Sequence, residues 1–425
     1  MINQASLEAV AAAHFKPPFI RPLYETYNFW RLPHSIVRWF GGETNWALPS
    51  DALPSGSSAC DAVVLLLIDG FGWRFYEPRA ERYPFLQHFV RHGVVSKLTS
   101  MFPSTTAAHL TTLHTGLPPA HSGVYEWYQH APTLNAMIAP LTFSLAGERG
   151  RDTLAQAGVS PGFVFPTHVL YQQLIALDVD SFVLQSNQFA HSAPSRHLVQ
   201  GARIVATKTT VEGCVQLSKL LAAQQRRSYY VLYLSQVDAI GHEYGPTSEE
   251  IEAEIDVLLR VLEEHLLNRL AQHGRVLLLV TADHGLVETN PATTLYLNRD
   301  ENLRTLRRHL QTDWAGQPLA PAGSPRDLFL HIRPDKLERV ERTLSEHLAG
   351  RALVFQTRFL IEQGLFGPPP ISDRFLERVG NLVILPFKGE SVYWYERGRF
   401  EQTFFGHHGG LTREEMEIPL LACAL

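Results

Sequence analysis

Residues 62–72, AVVLLLIDGFG, decide the fold. The apolar run 62–68 is far shorter than the ~20 residues that span a bilayer, and it lacks the polar alternation of a strand with one wet face. It reads as a strand buried on both sides, as in a parallel sheet, with Asp69 standing just past its carboxyl end. Two later stretches repeat this pattern. Ser228–Leu234 is followed by Asp238, and 275–280 is followed by Asp283.

Between the second and third of these strands the spacing predicts a helix. Thr247 and Glu250 form a capping-box pattern, Ile251, Ile255, Leu258, Leu262, Leu266 and Leu270 recur every three or four residues, and Gly274 ends the run. Strand, loop, amphipathic helix and strand make a right-handed parallel crossover. The fold class expected is therefore α/β, a mostly parallel central sheet flanked by helices on both faces.

Outward from this core the chain divides further. Glycine and proline crowd 315–325 and 364–370 as loops, and between them 327–332 reads as a strand, 336–348 as a helix and Ala352–Gln356 as a strand. This predicts an inserted α+β cap over 290–378, with the core at 61–289 and 379–425 and strand character resuming at 381–386 and 392–395. Residues 1–60, rich in aromatics and prolines, read as an irregular N-terminal wrap.

Composition bounds the function. The chain has 425 residues, of which 45% are apolar and 19% charged, which excludes intrinsic disorder. Lys and Arg number 37 against 42 Asp and Glu, a net charge of −5, so no nucleic-acid-binding surface is evident. No apolar run suggests a membrane segment. The start, MINQASLEAVAAAHFKPP, lacks both the basic residues and the apolar stretch of a secretory leader, and Cys60, Cys214 and Cys423 form neither a disulfide framework nor a metal knuckle. Both observations point to cytoplasmic residence. The sequence carries no signal for an oligomeric state.

The acids at the strand ends carry the chemistry. Ligand sites in open parallel sheets lie beyond the carboxyl ends of the strands, and Asp69, Asp238 and Asp283 would repel one another there unless a cation joined them. His242 follows Asp238 by four residues and His284 follows Asp283 directly. Carboxylate plus imidazole is a ligand set for Zn²⁺ or a similar ion. In SKLTSMFPSTTAAHLTTLHTGLPP the hydroxyls of Ser104, Thr105 and Thr106 open a short helical pattern ending near Gly116, where the helix dipole favours phosphate oxygens. Ser104 or Thr105 reads most simply as the helix cap. Near the C-terminus, GHHGGLTREEMEIPLL places His407 and His408 before a glycine turn.

The motifs IDGFG at Asp69, FPSTTAAHLTTLHTG at Thr106, QVDAIGHEYGP at Asp238 and His242, TADHG at Asp283 and His284, and HHGG at His408 together resemble the alkaline phosphatase superfamily, in particular its nucleotide pyrophosphatase/phosphodiesterase branch. The resemblance runs from residue 62 to the C-terminus and implies an alkaline-phosphatase-like hydrolase. It implies two divalent metal ions, Zn²⁺ or Mn²⁺, one held by Asp69, Thr106, Asp283 and His284, the other by Asp238, His242 and His408. Thr106 matches the position of a metal-activated nucleophile that forms a phospho-threonine intermediate, with Thr105 as the fallback.

The expected substrate is a small-molecule phosphate ester, and the expected enzyme a phosphodiesterase or nucleotide pyrophosphatase. Departures from the branch bear on specificity. The Phe-Pro-Asn-His that usually follows the nucleophile is Ala107, Ala108, His109 and Leu110 here, and Trp127 stands where a phosphate-contacting Asn is usual. Trp127, Tyr125 and His109 are thus the candidate substrate-binding residues. A phosphonate hydrolase or phosphomonoesterase with the same two-metal site is the alternative, and a non-catalytic metal-binding scaffold the weaker one. A sulfatase would need C/S-x-P-x-R, which is missing. A cofactor-independent phosphoglycerate mutase would need a Ser nucleophile and a large domain after it.

Overall fold

Ala62–Ile68 lies at the middle of a seven-stranded sheet in a computed structural model that describes residues 1–54 and 60–425. Residues 55–59, the end of the expected N-terminal wrap, lie outside the described residues. The strand order is Val94–Thr99, Glu417–Ala424, Val276–Thr281, Ala62–Ile68, Ser228–Leu234, Asp180–Ser186, Arg203–Thr207. Only the C-terminal strand runs antiparallel to its neighbours. The three strands chosen by their apolar runs are therefore adjacent, the third beginning at Val276 because Arg275 is exposed, and all residues of the observed strands are buried.

Register brings the acids together. Ile68 pairs with Leu234 and Leu67 with Thr281, so Asp69 and Asp283 leave the sheet at the same level. Asp238 lies one helical turn into Gln236–Tyr244, where i,i+4 spacing puts His242 on the same face. Gly70 lets the first strand turn away under this helix. Its φ is +72°, and a Cβ there would stand 3.1 Å from the Asp238 Cα.

The helix expected after Thr247 forms, but Ser248 caps it by accepting from the Ile251 N–H. Thr247 and Glu250 are not a capping pair, because the chain enters the helix one residue later. Its residues Ile251, Ile255, Leu258 and Leu262 enter the main core beneath the sheet. The N-terminal segment is more ordered than expected, with helices Gln4–Ala11 and Arg31–Trp39, and Phe29, Leu32 and Ile36 join the same core.

A second core surrounds a four-stranded antiparallel sheet ordered Ala322–Ser324, Asp327–Leu330, Leu382–Pro386, Ala352–Gln356. Leu382–Pro386 sits between two strands of this smaller sheet, so that sheet extends past residue 378, where the sequence pattern returns the chain to the main core. An apolar five-residue strand suits either sheet, and only its long-range partners choose.

The two parts are joined by an ion pair. Arg326 and Glu415 are fully buried, with Nε 2.9 Å from Oε1, and the guanidinium also donates to backbone carbonyls of Pro386, Phe387 and Glu390. Glu415 in turn accepts from the N–H groups of Gly410 and Thr412. The pair thus pins the small sheet to the loop bearing His408. Arg326→Met would leave the Glu415 carboxylate buried and uncompensated, and the expected loss is ~3–5 kcal/mol. Urea unfolding checks this, and the double variant Arg326→Met, Glu415→Leu should recover much of the loss.

Candidate metal centre

Thr106 is the first residue of the helix Thr106–Thr115, which ends at Gly116 in the left-handed region at φ +75°. Thr105 is the cap. Its Oγ1 accepts from the Ala108 N–H and donates to the Tyr125 carbonyl, so it points away from the acids. Ser104 is not a cap. Its Oγ donates to the Gly410 carbonyl and accepts from the Gly409 N–H, clamping the His408 turn to the start of the helix. Of the three hydroxyls, that of Thr106 faces the acids, 3.5 Å from Asp69 Oδ1 and 3.2 Å from His284 Nε2.

Two triads of donors gather around it. Donor atoms of Asp69, Asp283 and His284 lie within 4.8 Å of one another, as do those of Asp238, His284 and His408. His284 Nε2 is 3.4 Å from both Asp69 Oδ1 and Asp283 Oδ2. His242 Nε2 and His408 Nε2 lie 3.4 Å and 3.7 Å from Asp238 Oδ1. His284 and His408 stack, with ring centres 3.6 Å apart. His407 lies outside these groups, its Nδ1 accepting from the His408 N–H.

The outer hydrogen bonds set what faces inward. His284, His242 and His408 each turn Nδ1 to a backbone carbonyl, of Gly285, Gly406 and Ser104 respectively. A carbonyl only accepts, so Nδ1 carries the proton and each Nε2 presents a lone pair to the carboxylates. Asp283 Oδ1 accepts from Gly70 and His284 N–H groups, and Asp69 Oδ2 from the Tyr233 hydroxyl. Asp238 Oδ1 and Asp283 Oδ2 are buried without a hydrogen-bond donor among the described residues. Lone pair facing lone pair at these distances repels unless a cation lies between, so the donor set fits divalent metal ions.

Electrostatics agree. Burial pushes the Asp69 carboxyl well up, and Asp283 and Asp238 push it further. Burial likewise raises Asp283, lowers His284 to about 4 and holds His408 well below the usual imidazole range. Neutral imidazoles beside strained carboxylates are what a cation would stabilise.

The remaining expectations divide. Trp127 is 40% exposed and stands beside Thr106. Two cavities meet at Thr106, Trp127 and Asp238, one of 310 Å³ lined by Leu141, Gln188, Phe189 and Tyr233, the other of 260 Å³ lined by Tyr128, His242, Phe404 and His408. Tyr125 is not a substrate residue. It is fully buried between Phe329 and Phe375 and donates to the Arg378 carbonyl. His109 is also core. Its ring is buried under the helix, bonded to the Thr105 carbonyl and to Ser100 and Met101.

Sequence reasoning missed Tyr233, which reads as one more apolar residue of its strand. Its signal was position, a hydroxyl one residue before the strand end that precedes Asp238. Titrating Zn²⁺ or Mn²⁺ into metal-free protein should raise its unfolding midpoint, by ~2.7 kcal/mol of stability at 100 times Kd. Asp283→Asn should lose most of this gain, and an equal gain would remove that carboxylate from the site.

Residues 63–411 match a family model described as type I phosphodiesterase / nucleotide pyrophosphatase. A venom phosphodiesterase of Crotalus durissus collilineatus is 28% identical over 259 residues, covering 58% of this chain and 29% of that protein. Human ectonucleotide pyrophosphatase/phosphodiesterase family member 1 is 24% identical over 275 residues, covering 61% of this chain and 28% of that protein. The chain therefore spans under a third of the length of these curated relatives. A solved structure of murine ectonucleotide pyrophosphatase / phosphodiesterase 5 in complex with AMP superimposes with a TM-score of 0.62 at 17% identity, covering 85% of this chain and 87% of that one. At that identity the likeness speaks to the fold.

Proposed function

Because the chain belongs to the type I phosphodiesterase / nucleotide pyrophosphatase family, a metal-dependent family, we propose that it hydrolyses phosphodiester or pyrophosphate bonds of a small nucleotide-like substrate. The observation that carries this reading is Thr106. Its hydroxyl opens a helix, faces Asp69 and His284, and sits where two cavities meet.

Asp69, Thr106, Asp283 and His284 would hold one divalent ion and Asp238, His242 and His408 a second. Such ions lower the pKa of a ligating hydroxyl and offset charge on the phosphoryl oxygens. We assign them as Zn²⁺, on the mixture of imidazole and carboxylate donors, with Mn²⁺ the next candidate. Binding them also adds about +4 of charge to a chain of net −5, which lets an acidic protein receive an anion.

The chain's own groups then do the following. Thr106 Oγ gives its proton to solvent and attacks phosphorus, the bond to one ester oxygen breaks, and the phosphoryl group, still bearing the other ester substituent, remains on Thr106 until water releases it as the monoester. The positive end of the helix Thr106–Thr115 favours the phosphoryl oxygens as charge shifts onto them. The departing group leaves with the broken ester oxygen and takes a proton from solvent. Water cleaves the phosphorus–Oγ bond and restores the threonine. The cavities on either side of Thr106 would seat the two substituents of a diester, which favours it over a monoester. Trp127, on the shared wall, offers a ring face to a base or aryl group. The AMP bound to the murine neighbour supports a nucleotide in one cavity. Cytoplasmic residence remains our reading of a chain whose three cysteines are all free.

Turnover of a diester, a monoester and a phosphonate by wild type and Thr106→Ala tests the proposal. The diester should be preferred, and Thr106→Ala should lose roughly 10³-fold or more in kcat. Undiminished turnover in Thr106→Ala would refute the nucleophile, and a clear preference for phosphonate or monoester would refute the diesterase assignment.

A further inference from the structure

Behind Trp127 two carboxyl groups face each other inside the protein. Glu126 is 1% exposed and Asp327 fully buried, and their carboxyl groups lie within hydrogen-bonding reach of one another. Glu126 Oε2 accepts from the Trp127 N–H, and Asp327 Oδ1 accepts from Ser324 Oγ at 2.6 Å. Asp327 Oδ2 meets no N–H or hydroxyl donor among the described residues. No ion pair to either acid is found among those residues, and the nearby cations are engaged elsewhere. Arg326 is taken by Glu415, Arg378 by carbonyls of Gly123, Phe163 and Val164, and Arg399 by Glu396 and the Ala146 carbonyl.

Two touching carboxylates without a cation cannot both be ionised at modest cost, so the contact requires a proton. The contact also joins two segments of the site. Ser324 Oγ, which binds Asp327, lies 3.3 Å from the His408 carbonyl oxygen. Gly409 has φ +127°, and a Cβ there would meet Asp327 Oδ1 at 2.6 Å. Asp327 therefore packs directly under the turn that carries His408, while Glu126 is the residue before Trp127.

We propose that Glu126 and Asp327 share one proton and act as a positioning pair that fixes Trp127 and the His408 turn relative to one another. The kinetic consequence rests on the phosphodiesterase reading of the cleft; the shared proton does not. The other titratable or charged groups facing the pair are Tyr125, Tyr128, Tyr393, Glu401, Glu415, Arg378 and Arg399, with His242, His407 and His408 across the adjoining cavity. Burial raises the three phenols, which therefore stay protonated in the range that matters. Burial pushes Glu126 up to about 8, and burial together with Glu126 pushes Asp327 well up. A carboxyl raised on folding contributes stability that is complete below its unfolded pKa and is lost as pH rises through the folded value. The pair should thus come apart on the alkaline side, from about pH 8 upward.

The test follows the unfolding midpoint and kcat/KM for bis(p-nitrophenyl) phosphate against pH, using Zn²⁺-loaded wild type, Glu126→Gln, Glu126→Ala and Asp327→Asn. In wild type the unfolding midpoint should fall as pH rises out of the ordinary carboxylate range and level off near pH 8, while kcat/KM should drop near pH 8. Glu126→Gln, whose amide donates to the Asp327 carboxylate at any pH, should retain turnover at neutral pH and flatten the limb, as should Asp327→Asn. Glu126→Ala should lose about tenfold in kcat/KM. A limb that survives unchanged in Glu126→Gln overturns the proposal. Should the amide variants not fold, infrared spectra of wild type decide. A protonated-carboxyl band that disappears as pH rises through 8 supports the pair, and its absence at neutral pH overturns it. A limb in unfolding with no diester turnover by wild type would leave the pair standing and sink the phosphodiesterase reading instead.

Discussion

Three carboxylates held at the ends of adjacent parallel strands repel each other, and the architecture around them exists to keep them there. Asp69 and Asp283 arrive at one level through the register of buried strands, and Asp238 is added by the first turn of a helix. Outward-facing oxygens are tied to Gly70, His284 and Tyr233, while of the inward ones Asp69 Oδ1 meets the Thr106 hydroxyl and Asp238 Oδ1 and Asp283 Oδ2 meet no donor among the described residues. Structure and chemistry are coupled at this point, because what would destabilise the bare protein is what binds the ions.

The opposite wall is built differently. His408 lies on a loop, and a loop must be held by its contacts. Ser104 clamps it from the helix of Thr106, while Glu415 holds Gly410 and Thr412 and is itself anchored by Arg326 of the small sheet. The small sheet thus supports the site from outside the main sheet. Asp327 and Glu126 extend the same support to Trp127, the exposed aromatic at the junction of both cavities.

Some of this was legible in the sequence for a simple reason. A strand buried on both faces must be apolar throughout, so Ala62–Ile68 and Ser228–Leu234 announce their own ends, and though one acid past such an end is commonly a turn residue, three of them with two histidines point to a site. The i,i+4 spacing of Asp238 and His242 is equally local. Tyr125 and His109 misled because an aromatic or imidazole near a nucleophile has the same letter whether it points into the cleft or into the core. Ser104 and Thr105 were ambiguous for a similar reason, since either hydroxyl can cap a helix and only the loop arriving from residues 408–410 occupies one of them.

By itself the sequence determined the buried parallel strands, the acids and histidines at their ends and the hydroxyl run at a helix start, all written in local periodicity. Tertiary structure decided which sheet Leu382–Pro386 joins, which hydroxyl faces the acids and which aromatic lines the cleft. It also decided that Glu126 and Asp327, 201 positions apart by number, meet without a cation. The physical reason is that pairing partners and side-chain direction depend on contacts between distant segments. A local pattern constrains what a segment must bury, not what it is buried against.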